Sequence, residues 1–164
     1  MDQVVPTVDE VTSAQTEGNP KLKVDETLDI QVTFTEVVNI TGTPKLLLDT
    51  NEPPGSVLSE ALYNSDTGST SPKFRLTVAT NNYNRDLNYR STASLELDGG
   101  TIRDAAGNNA TLTLPALDNA KALKQMKEYW VDGVLPTVDE VEDVISTGDT
   151  IVACLLYTSP SPRD

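Results

Sequence analysis

The chain contains an echo of itself, and that echo limits what it can fold into. Asp2-Gln3-Val4-Val5-Pro6-Thr7-Val8-Asp9-Glu10-Val11 returns 130 residues later as Asp132-Gly133-Val134-Leu135-Pro136-Thr137-Val138-Asp139-Glu140-Val141. Only Gln3/Gly133 and Val5/Leu135 differ. An intact Pro-Thr-Val-Asp-Glu-Val at a fixed offset marks a period, and a period sets the folding unit. Residues 2–133 therefore form one whole repeat. Residues 134–153 open the next, where Gly148-Asp149-Thr150-Ile151 echoes Asp25-Glu26-Thr27-Leu28. Met1 stands where the second copy has Val131. A GTG valine codon taken as a start would give that methionine, so the expectation is a piece of a longer array.

The final residues, Cys154 to Asp164, read CLLYTSPSPRD. They look like a translated sequencing adapter, and such scars are set aside in fold reasoning. The expectation is a foreign, disordered tail over 154–164. Cys154 is the single cysteine, so no intrachain disulfide can form. The charge is unaffected, because Arg163 and Asp164 cancel.

Within the repeat, Leu28, Ile30, Val32 and Phe34 alternate with polar residues, the period-2 pattern of a half-buried strand. Phe74, Leu76 and Val78 follow it too, as do Leu95 with Leu97 and Leu112 with Leu114. Weaker strands are expected over residues 8–13, 46–49, 61–63 and 129–131. Gly42-Thr43-Pro44, Pro53-Pro54-Gly55, Asp98-Gly99-Gly100 and Gly107-Asn108-Asn109 punctuate them. Seven to nine short strands in about 130 residues predict an all-β, Greek-key β-sandwich. Leu117, Ala120, Leu123 and Met126 fall near helical spacing, so one short helix is expected within 118–128, capped by Asp118.

Composition removes several function classes. The chain has no histidine, which takes away the usual general base, the common nucleophile pairs and most zinc sites. Phosphate-cradling loops and nucleophile elbows are missing. The expectation is therefore no enzyme. A net charge of −13 repels nucleic acid. No apolar run approaches the roughly 18 residues that a membrane-spanning helix needs. No basic-then-apolar leader opens the sequence.

Several segments together resemble one family. They are Val5-Pro6-Thr7-Val8, Asp29-Ile30-Gln31-Val32-Thr33-Phe34-Thr35-Glu36-Val37-Val38, Thr41-Gly42-Thr43-Pro44-Lys45-Leu46, Leu95-Glu96-Leu97-Asp98-Gly99-Gly100-Thr101-Ile102, and Arg103-Asp104-Ala105-Ala106-Gly107-Asn108-Asn109 running on to Pro115. In order and spacing they resemble the bacterial Ig-like repeats of large surface adhesins and RTX-type secreted proteins. That resemblance implies Ig-like sandwiches in tandem, outside the cell or at the bacterial cell surface, with neighbouring repeats as partners and calcium as a stiffening ion. Lys121–Trp130 is bulkier and more basic than the family's usual stretch, and Asn51–Gly68 is less regular.

Calcium takes six to eight oxygen ligands. Candidate donors are Asp132, Asp139 and Glu140 at the repeat junction, and Asp104 with Asn108 in the following turn motif. Plain turn chemistry is the favoured reading of the Asp104–Asn108 pair, since such side chains bond their own backbone and Gly107 supplies positive φ. No EF-hand loop is present. Asn39-Ile40-Thr41 and Asn109-Ala110-Thr111 match the glycosylation pattern and are read as chance. Trp130 is expected to pack under a sheet edge. The reading at this level is a structural spacer of a large extracellular adhesin. The alternatives are a carbohydrate- or protein-binding module, favoured if several tyrosines share an exposed face, and an accessory domain of a secreted enzyme.

Overall fold

The computed structural model describes residues 4–13, 21–51, 58–65, 67–142 and 154–158. The chain divides into two compact units, residues 1–133 and 134–164. The first is all-β apart from one helical turn.

Its elements, in chain order, are β1 (Val8–Ser13), β2 (Lys21–Lys23), β3 (Thr27–Phe34), β4 (Asn39–Thr41), β5 (Lys45–Asp49), β6 (Leu58–Tyr63), β7 (Lys73–Thr77), β8 (Tyr83–Asn84), β9 (Asn88–Tyr89), β10 (Leu95–Glu96), β11 (Thr101–Arg103), α1 (Leu123–Met126) and β12 (Trp130–Asp132). Seven strands form one antiparallel sheet in the order β1-β3-β7-β6-β5-β10, with β9 also on β5. A two-stranded sheet pairs β11 with β4, and a three-stranded sheet runs β2-β12-β8.

The alternation read from the sequence sets this architecture. In β3, Leu28, Ile30, Val32 and Phe34 are all buried, while the residues between them are not. Phe74 and Leu76 of β7 and Leu46 and Leu48 of β5 repeat the pattern. Register follows from it, because a one-residue slip would turn every buried side chain to water. Thus Ile30 lies opposite Phe74, Leu28 opposite Leu76, and Asp29 opposite Arg75. The last pair forms a two-pronged ion pair, with the guanidinium donating to both carboxylate oxygens at 2.7 and 2.8 Å.

Several expectations are corrected. Leu112 and Leu114 form no strand. Thr111 makes an isolated bridge to Thr7, and the Leu114 amide donates to Thr92 instead. Burial is kept without a ladder, since Leu114 still joins the core. The helix is a single turn, preceded by Ala122 with no side-chain cap, so Asp118 does not cap it. Lys127, in extended conformation, ends the turn. Beyond it the chain drops to Tyr129, whose hydroxyl hydrogen-bonds Ser13 in the interior. Strands β2, β4, β8, β9 and β11 are two or three residues long and carry no readable period.

The second unit holds β13 (Thr137–Glu142) and β14 (Cys154–Thr158), paired antiparallel. The tail expected to be disordered is thus a strand over 154–158, and residues 159–164 lie outside the described residues. Ile151, Ala153, Leu155 and Tyr157 continue a period-2 sequence pattern, which accounts for strand formation there. The pairing copies the first unit. Val8 faces Phe34, Glu10 faces Thr33, and the register breaks between them; Val138 faces Tyr157, Glu140 faces Leu156, and it breaks at the same place.

The first unit ends at Gly133, which is locked to the turn before β8. Its amide donates to Asn82 at 2.6 Å, and its carbonyl accepts from Asn81 at 2.9 Å. A Cβ at this position would lie 2.2 Å from the Ala79 carbonyl oxygen. Asn82 is itself buried in a polar knot with Thr50, Ser59 and the Ala79 amide. Gly133→Ala is therefore expected to cost about 2 kcal/mol or more, read as a fall in the urea midpoint of the whole chain. A change within error would show that the backbone here is not held.

Candidate functional site

Asp104 follows β11 and is 5% exposed. One carboxylate oxygen accepts the Asn108 backbone amide at 2.8 Å, and the other accepts the Asn108 side-chain amide at 2.6 Å. The turn closes further as the Asp104 amide donates to the Asn108 carbonyl. Gly107, at φ +94°, supplies the left-handed residue that the turn needs. Burial alone would raise the Asp104 carboxyl. Hydrogen bonds from the Asn108 side chain and from the amides of Asn108, Gly107 and Ala106 outweigh it and hold the group below its ordinary value.

This turn reaches beyond itself. The Asn108 side chain also donates to the Val4 carbonyl at 3.2 Å, and the Thr111 amide donates to Pro6 at 2.8 Å. The entering segment, residues 4–7, is thereby strapped along residues 108–111. The turn thus works as a clasp on the first residues of the unit.

The expected calcium donors lie in both units, Asp104, Asn108 and Asp132 in the first and Asp139 and Glu140 in the second. Asp104 and Asn108 are brought together, but as partners of each other, with both Asp104 oxygens facing donors. Asp132, in β12, is engaged by Lys21 at 2.7 Å. Asp139 is exposed and belongs with Glu140 to the second unit, and the Glu140 side chain lies outside the described residues. Among the described residues, no group of three or more acidic, cysteine or histidine side chains is placed to hold a metal ion. Asp104 with Asn108 forms a hydrogen-bonded turn, and Asp132 forms an ion pair.

Among the described residues, Tyr83 and Trp130 are half-buried and share the Arg85 guanidinium, which lies 6.0 Å from the Tyr83 ring centre. Tyr89 and Tyr129 are buried. Burial pushes the Tyr89 phenol up to about 12, and its hydroxyl donates to Pro115 at 2.6 Å. Tyr63 packs against Phe74 with ring centres 5.9 Å apart. Trp130 is half-buried on β12, with the Lys21 ammonium 4.9 Å and the Arg85 guanidinium 5.3 Å from its ring centre. Such cation–π contacts stabilise the packing of an edge aromatic. The two sequon asparagines flank Arg103: Asn39 pairs with it across β4 and β11, and the Asn109 side chain accepts from its guanidinium at 2.8 Å.

The clasp, the Gly133 lock and the Trp130 cluster were not evident as units in the sequence. Each joins residues far apart in the chain, and only Gly107 gave a local signal. Comparison with protein-family models, with curated proteins and with solved structures finds no match to this chain.

A pH prediction follows for the clasp. A carboxylate whose folded pKa lies below its unfolded value, about 3.9 for Asp, stabilises the fold above that unfolded value. It loses this contribution as pH falls through the folded pKa. Asp104→Asn should therefore be less stable than the parent at pH 7, with the gap closing below about pH 4. Thermal melts from pH 2 to 7 read this directly, and a gap independent of pH would refute the charge-assisted clasp.

Proposed function

We propose that this chain is part of a tandem array of Ig-like repeats whose task is mechanical, spacing a binding module away from a bacterial surface. The observation that carries the reading is the strapping of both ends of the repeat. The entry, residues 4–7, is tied to residues 108–111, and the exit, Gly133, is tied to Asn81 and Asn82. Because residues 134–137 echo residues 4–7, the same clasp in a following copy would hold them too. That leaves only a few residues, including Pro136, in which the array can bend. A unit tied at both ends transmits direction, which is what a spacer requires and what a flexibly hung module does not.

The test is a tandem chain in which residues 2–133 run directly into a second copy beginning at Val4. Small-angle scattering should show an extended particle with a narrow distribution of maximum dimensions. Inserting Gly-Ser-Gly-Ser after Gly133 should broaden that distribution. Equal breadth in both would overturn the spacer reading. Calcium, which the family resemblance implies, enters as a second arm. Stiffening or a raised melting midpoint in millimolar calcium, reversed by chelator, would support its role, and identical curves would remove it.

A further inference from the structure

Residues 4–11 lie in a slot on the first unit. The Asn108 side chain donates to the Val4 carbonyl, and the Thr111 amide donates to Pro6. The Thr7 amide donates to the Thr35 hydroxyl, and the Thr35 amide donates back to the Thr7 carbonyl. Val8, Glu10 and Val11 then face Phe34, Thr33 and Val32 across the edge of β3. The Val11 amide donates to the Lys121 carbonyl, and the Lys121 ammonium is ion-paired with Asp9. Pro6 and Val11 are buried, and Val8 packs against the core.

Most of these anchors engage backbone, which any extended chain offers. The side chains that the slot selects are Pro6, Val8, Asp9 and Val11, and the echo keeps all four as Pro136, Val138, Asp139 and Val141. Within residues 134–141 the one change is Leu135 for Val5, a position 42% exposed in the first copy. In the second unit Pro136 is exposed where Pro6 is buried, and Val138 is 48% exposed where Val8 is covered. Among the described residues there is one such slot, and two segments carry the side chains that fit it.

The fit ends after Val141. Two residues beyond Val11, Ser13 is buried and hydrogen-bonded to the Tyr129 hydroxyl. The corresponding residue of the echo is Asp143, and bringing a carboxylate to that position is costly. Being in the same chain as the slot also gives the resident strand an effective concentration on the order of millimolar. The resident strand therefore holds the slot until it is released.

We propose that the slot is a strand-recognition site whose occupant in trans is residues 134–141 of a second copy of this chain, so that copies join by exchange once the first strand is released. The chemistry is β-strand addition, in which main-chain bonds give affinity and side-chain pockets give selectivity. The exchange is of the domain-swapping kind, since the donated element matches the one it replaces. It requires the echo and the slot alone, whatever the array does mechanically.

The experiment uses the 164-residue chain. Val11→Asp unseats the resident strand and leaves Val141 unchanged. Light scattering after size exclusion should find the parent monomeric at micromolar concentration and V11D dimeric or larger. The double variant V11D/V141D should not assemble. Adding Asp143→Ser to V11D should tighten assembly about tenfold or more. A fluorescein-labelled peptide of residues 134–141 should bind V11D/V141D saturably by anisotropy, and the V141D peptide should not. Where V11D alone unfolds, the same wild-type peptide should restore its melting transition. A folded, monomeric V11D would overturn the proposal, as would assembly that survives V141D or a peptide that neither binds nor restores the fold. The spacer reading is decided separately, by the scattering of the tandem chain.

Discussion

Strand β3 sends Leu28, Ile30, Val32 and Phe34 into the core while β1 pairs on one of its edges and β7 on the other. This double constraint decides much else. Satisfying the backbone of a central strand demands two partners, and burying one face demands a fixed register with both. The β3–β7 register places Asp29 against Arg75, where the hydrogen bond from Arg75 outweighs the effect of burial and holds the Asp29 carboxyl below its ordinary value. The β1–β3 register carries Ser13 inward to meet Tyr129, drawing the last strand of the unit back to its first. Truncating any of the four β3 side chains would loosen both sheet pairings at once, typically at about 2–5 kcal/mol for Leu or Ile to Ala.

Strands with a strong period were legible in the sequence, and the reason is physical. In β1, β3, β5 and β7 the same alternation that marks the sequence also supplies the burial energy. Short strands were not legible, because β8, β9 and β11 are strands only through what they pair with. Leu112 and Leu114 show the converse: alternation persists where the core needs it, yet the backbone bonds go to Thr7, Pro6 and Thr92 rather than to a ladder. Helical spacing over residues 118–128 overreached for a similar reason. Local propensity there is overridden once Tyr129 must reach Ser13 and Trp130 must pair with Lys21.

The candidate metal residues illustrate how an acidic motif divides once folded. Asp104 and Asn108 are close in sequence, and proximity alone favoured a turn while leaving a cation site open. The structure spends both Asp104 oxygens on Asn108 and uses the rest of Asn108 to hold Val4. The turn thereby joins the end of the β11 segment to the first residues of the repeat. Gly133 does the corresponding work at the other end, through a buried asparagine network. Both devices use asparagine, whose side chain donates and accepts and can bridge two backbone segments at once.

The same versatility separates Asn88 from Asn82 and Asn108. Asn82 donates to Thr50 and accepts from Ala79 and Ser59, and Asn108 donates twice, so both side chains are consumed by the fold. Asn88 spends its oxygen on the Tyr89 amide and lines a groove beside Tyr83 and Asp49. Its position there depends on pairing with Asp49, a residue 39 positions earlier, so no sequence motif could have announced it. The groove is lined from β5, β8, β9 and the segment around α1, and Tyr83 in it directly follows Asn82, which holds Gly133.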